Sequence, residues 1–173
     1  MATLQGLLAD NTTNDITAQD LRDCLVSAAP NAGQLYVTSS AATTVGSSGV
    51  YYEAAGTWAL GSAARNFTRQ ADNRLRYDGA PTQLALVVAH FTLECGSSSQ
   101  SCRVAITKNG SVVAGGDQKV YLGTTGSAPG QGCVVALTTV ATNDYLGLWV
   151  RNDTAANNLT LAFANLVVLG LLN

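Results

Sequence analysis

The residues able to do chemistry are few and far apart. His90 is the single histidine of the 173 residues, and it falls in the middle of a long alternating run. One imidazole cannot build a multi-histidine metal centre, and no Cys-x-x-Cys pair offers thiolates at metal-binding spacing. No Gly-x-Ser-x-Gly elbow occurs. The Gly-rich stretch Gly123–Gly132 lacks the lysine and following helix of a phosphate loop. The acids run singly from Asp10 to Asp153, mostly in turns, where Asp bonds to nearby backbone. No spacing proposes a catalytic pair. The chain reads as a non-enzyme with no cofactor and no metal.

The four cysteines divide into two kinds. Cys24 falls on a helical apolar stripe and Cys133 in a strand, so both read as small buried hydrophobes. Cys95 and Cys102 flank the loop GSSSQS and could face each other across a hairpin. A bridge there would close a short loop and contribute about 2 kcal/mol on the loop-entropy account. A reducing cytoplasm would keep both thiols free.

The element that carries His90 is Thr82–Cys95, about twice the usual strand length. Ala85, Val87, Ala89, Phe91, Leu93 and Cys95 form a wholly apolar face. The other face reads Leu84, Leu86, Val88, then His90, Thr92, Glu94. A strand that is apolar on both faces needs cover on both sides. A neighbouring copy of the chain is the simplest second cover for Leu84, Leu86 and Val88. The same argument applies to Leu159–Leu171, whose Leu159, Leu161 and Phe163 join the expected intersubunit set.

Around these lie short strands between turns: Gln34–Thr38, Val50–Ala54, Thr57–Leu60, Arg65–Gln70, Arg74–Tyr77, Cys102–Lys108, Gln118–Leu122, Gly132–Val140 and Asp144–Arg151. Asn109-Gly110 predicts a type I′ hairpin. In Cys102–Lys108, Cys102, Val104 and Ile106 are expected inward, and Arg103, Ala105 and Thr107 outward. About ten strands with no helix between them predict an antiparallel sandwich or barrel.

Before the strands, residues 1–15 read as a polar arm with Leu4, Leu7 and Leu8 as its large apolar anchors. Extended, it would reach roughly 50 Å at about 3.3 Å per residue. Ile16–Ala29 predicts a helix capped by Thr17, with Ile16 stapled to Leu21. Leu21, Cys24, Leu25 and Ala28 share one face. Pro30-Asn31 and Gly33 end it. The organisation is therefore an attachment segment, residues 1–32, and a β domain, residues 33–173.

Only 12% of residues are charged and the net charge is −2. Without a basic stripe, nucleic acid is not an expected partner. The N-terminus lacks the pattern of a signal peptide, and Leu159–Leu172 is too short to span a bilayer as a helix. The expectation is a protein made in a host cytoplasm and not inserted in membrane.

Two groups of residues carry a family resemblance. Ile16–Leu25, ITAQDLRDCL, resembles the N-terminal segment of many tailed-phage structural proteins. Arg65–Thr68, Arg74–Gly79, Ile106–Gly110, and Thr142–Leu146 through Trp149–Asn152 together resemble the TNF/C1q-like jelly roll of phage virion proteins. The resemblance implies an all-β, antiparallel jelly-roll sandwich that forms a homotrimer. It implies a capsid decoration, or cement, protein on the outer surface of the phage head, bound to the major capsid protein. Leu4, Leu7, Leu8, Ile16, Leu21 and Leu25 are then the expected attachment residues. The alternative is a tail-fibre or baseplate protein that binds a host surface glycan.

Overall fold

The computed structural model describes Gln19, Asp20, Arg22 and residues 29–70, 73–123 and 128–171. The chain divides into two units, residues 1–30 and residues 31–173. In the first, Gln19, Asp20 and Arg22 have helical backbone. The predicted arm, the cap, and Leu4, Leu7, Leu8, Ile16, Leu21, Cys24 and Leu25 lie outside the described residues.

The second unit is built of twelve strands: β1 (Ala32–Ser40), β2 (Ala42–Thr43), β3 (Tyr51–Glu53), β4 (Gly56–Leu60), β5 (Phe67–Gln70), β6 (Arg74–Tyr77), β7 (Gln83–Cys95), β8 (Gln100–Lys108), β9 (Ser111–Leu122), β10 (Gly130–Val140), β11 (Tyr145–Asn152) and β12 (Leu159–Leu171). They form two antiparallel sheets. Sheet A runs β10-β7-β12-β1-β4 with β2 beside β12. Sheet B runs β5-β6-β11-β8-β9 with β3 beside β11. From β6 onward the chain crosses between sheets repeatedly, which is the jelly-roll path.

The long alternating strand β7 lies between β10 and β12. Its inward face is as the sequence predicts: Ala85, Val87, Ala89, Phe91 and Leu93 are all fully buried. They meet Leu75, Tyr77, Val104, Ile106, Leu146 and Val150 of sheet B in one core. Asn109 and Gly110 both have positive φ, as a type I′ turn requires, and join β8 to β9. Glycine is required at Gly33 by proximity instead. A Cβ there would lie 2.8 Å from side-chain carbons of both Leu75 and Phe67.

Three details differ from the sequence reading. Ala105 and Thr107 are buried although they alternate with the inward residues. Ala105 is small and stands opposite Trp149 on β11, and Thr107 donates its hydroxyl to the Gly147 carbonyl. Ser111–Leu122 is one strand through Gly115-Gly116, where the sequence suggested a break. β7 and β8 are not a hairpin: they belong to opposite sheets, and the loop after Cys95 crosses between them.

Phe91 fills the centre of the core beside the backbone of Gly132, where a Cβ would come within 2.5 Å of its ring. Phe91→Ala is expected to destabilise the domain by about 3–5 kcal/mol through lost burial and a residual cavity. Urea unfolding should show this as a lowered midpoint at unchanged slope.

Candidate functional site: the two outer faces

The outer faces of the two sheets differ in chemistry. On sheet B, most charged side chains are paired. Arg103 bonds Asp117 at 2.6 Å and Asp153 at 3.0 Å, and Arg151 also holds Asp153. The Arg151 guanidinium lies 5.0 Å from the centre of the Tyr51 ring, whose hydroxyl meets Asp117. Arg74 forks onto Glu53 and stacks on Tyr145. Burial, then the charge of Asp117, pushes the Tyr51 phenol up to about 12. Burial also works to raise Asp153, but the hydrogen bonds and charges of Arg151 and Arg103 outweigh it and hold that carboxyl below its usual range. These pairs satisfy a solvated face.

Sheet A presents the reverse. Its strands align Thr139, Leu84 and Leu171 in one row, Leu137, Leu86, Leu169 and Ala32 in the next, and Val135, Val88, Val167 and Gln34 in a third. Val135 is 51% exposed, Leu137 58% and Leu169 43%, so large apolar side chains of this face stand in water. The next rows bring Cys133, His90, Asn165 and Tyr36 together, then Gln131, Thr92 and Phe163. The ionisable side chains here are His90, Cys133, Tyr36 and, further along β7, Glu94. A contiguous apolar face of this kind marks an interaction surface.

The residues expected at an intersubunit contact separate accordingly. Leu84, Leu86, Val88 and Phe163 are on this outer face. Leu159 and Leu161 are not: both are fully buried in the core. The reason is a bulge in β12 between Leu161 and Phe163. The extra residue reverses the alternation, so Phe163 turns outward while Leu159 and Leu161 point inward. Simple period two could not reveal this, nor that Val135, Leu137, Leu169 and Leu171 complete the patch.

The cysteines are also redistributed. Cys133 is exposed on sheet A, not buried as its strand setting suggested. Cys95 and Cys102 are buried on opposite sheets as free thiols. Burial pushes the Cys102 thiol up to about 12, with the neighbouring Cys95 and Asp153 adding to the effect. Among the described residues, no group of three or more His, Cys, Asp or Glu side chains could hold a metal ion. No described helix is long and apolar enough to cross a membrane.

The fold can be compared with known structures. Murine APRIL superposes with a TM-score of 0.56 at 11% identity, covering 83% of this chain and 100% of that one. The Eiger TNF of S. frugiperda gives 0.55 at 13% identity, with 83% and 94% covered. The PRD1 vertex protein P5 gives 0.51 at 14% identity, with 83% and 97% covered. The fold is the TNF/C1q-like jelly roll. No protein-family model matches the sequence, and no curated protein matches it significantly.

The paired carboxylates of sheet B set an acid limit on stability. Asp153 and Asp144 both titrate below their ordinary value of 3.8. Their stabilisation is therefore complete above that value and is lost as pH falls through the lower folded-state values. Urea midpoints should stay level from neutral pH down to the ordinary carboxylate range and fall below it. Asp153→Asn should lower the neutral-pH midpoint and make that acid decline shallower; an unchanged decline would contradict the assignment.

Proposed function

We propose that this protein is a non-catalytic structural component of a phage particle. It acts as a homotrimer that decorates and stabilises the head on its outer surface. The observation that carries the reading is the contrast between the two outer faces. Sheet B holds its charges in pairs that suit water, whereas sheet A offers rows of Leu and Val with hardly a charge. A second and third copy of the chain would cover those rows. Interfaces that persist are large and apolar, and a closed ring gives each copy the same environment.

The virion setting is supported by the ITAQDLRDCL segment and by a fold shared with a protein named for a viral vertex. Residues 1–32 are the attachment segment in this reading. Leu4, Leu7, Leu8, Ile16, Leu21 and Leu25 supply the apolar contacts to the major capsid protein. Three such segments on one trimer raise avidity without a strong single contact.

One feature favours the alternative, a tail-fibre or baseplate protein that binds a host glycan. An open depression of about 480 Å³ on sheet A is lined by Tyr36, Phe163, Gln34, Asn165 and Ser62 among others. Aromatic faces beside amides suit a sugar.

Two measurements test these readings. Leu137→Asp combined with Leu169→Asp should yield a folded monomer by light scattering, with an unchanged circular-dichroism spectrum; a persistent trimer would place its contacts elsewhere. Deleting residues 2–15 should leave the trimer intact but abolish rebinding to heads stripped of decoration. Those heads should then rupture at lower temperature than decorated ones. Full-length protein that ignores heads and binds host cells would hand the case to the glycan reading.

A further inference from the structure

The turn that joins β8 to β9 carries a chemical liability. Asn109-Gly110 is the single Asn-Gly step of the sequence. Its residues have φ of 51° and 77°, and the type I′ turn favours this pair because both central residues must be left-handed. Glycine has no side chain to shield its amide nitrogen, which can attack the side-chain amide of the residue before it. Attack joins Gly110 N to Asn109 Cγ, breaks the Cγ–Nδ2 bond and releases ammonia. Water then opens the resulting succinimide ring to aspartate or isoaspartate. Water is the one co-reactant, and Asn109 is exposed to it.

A clasp opposes that step. Asn109 Nδ2 donates to Asp144 Oδ1 at 2.6 Å, and Asn109 Oδ1 accepts from the Tyr145 amide at 2.9 Å. The Asn109 backbone amide also donates to the Tyr145 carbonyl at 2.9 Å. Asp144 is itself fixed: its Oδ2 accepts from the Ala141 amide at 2.9 Å and lies 3.7 Å from Lys108 Nζ. Burial works to raise Asp144, but bonds from the Ala141 amide and the Asn109 side chain, with the charge of Lys108, outweigh it. The carboxyl therefore stays ionised and accepting at neutral pH. Ring closure draws Cγ from contact to bonding distance of the Gly110 nitrogen and makes it tetrahedral. That movement pulls the amide off both anchors and gives up a charge-assisted bond.

We infer that Asn109 is a deamidation site that Asp144 and Tyr145 hold closed in the folded protein, and that its product cannot rebuild the clasp. Replacing Nδ2 by oxygen removes the donor and sets a second carboxylate against Asp144, where like charges repel. The isoaspartate form also adds a backbone atom to a two-residue turn. Either product cuts the side-chain tie between the β8–β9 hairpin and the start of β11. The clasp lies within one chain, so the site does not depend on the oligomer.

The test incubates the full-length protein in warm, mildly alkaline buffer and follows the tryptic peptide Asn109–Lys119 by mass spectrometry. Deamidation appears there as a gain of about 1 Da. The folded protein should convert at least tenfold more slowly than the same chain unfolded in urea. Asp144→Ala, confirmed as folded by circular dichroism, should convert at least tenfold faster than the unaltered protein. Val168→Ala, which loosens the core and leaves the clasp in place, should convert at the unaltered rate. Asn109→Asp, which mimics one product, should lower the urea midpoint at neutral pH. Equal rates in the folded and unfolded chains would overturn the inference without any variant. So would an Asp144→Ala rate that is unchanged or that Val168→Ala matches. An unchanged midpoint for Asn109→Asp would overturn the claim that the product loses the clasp.

Discussion

A β-strand has two faces, and a two-layer sandwich can bury only one of them. β7 is apolar on both along its first half, and the rest of the structure follows from how that conflict is handled. Its inward face, from Ala85 to Cys95, forms the floor of the core. Its outward face, with Leu84, Leu86 and Val88, is extended by β10 on one side and β12 on the other. The result is a broad apolar surface that the described strands do not cover. Non-directional burial of such a surface is the dominant favourable term in association.

The polar half of the molecule makes the same point from the opposite direction. Where sheet B meets water, Arg103 and Arg151 pair with Asp117 and Asp153, and the burial of Asp153 is offset by hydrogen bonds to its charged form. Exposed pairs contribute little to stability individually. They do keep that face soluble and unattractive to a second apolar surface. The two outer faces of the domain therefore suit different surroundings, one water and the other a second apolar surface.

Much of this was legible in the sequence because antiparallel strands print their burial pattern as alternation. The limits of β7 and the sandwich class could be read that way, and the turn at Asn109-Gly110 from the residue pair itself. What alternation cannot encode is a change of phase. The bulge in β12 inverts the faces of Leu159 and Leu161 relative to Phe163, and no residue at that point announces it. Pairing between distant strands was equally hidden. Cys95 and Cys102 are neighbours across the core from opposite sheets and not within a hairpin, and Cys133 and His90, 43 residues apart, stand side by side. The exposure of Cys133 depends on which face of β10 looks inward, and that is set by its register with β7.

Sedimentation equilibrium of the reduced, full-length protein over the micromolar range tests the central claim most directly. If the outer face of sheet A is covered by copies of the chain, the particle will have three times the 17.8 kDa mass of one chain at every concentration. A single 17.8 kDa species at the highest concentration would contradict the account, because the apolar rows would then be stable in water on their own.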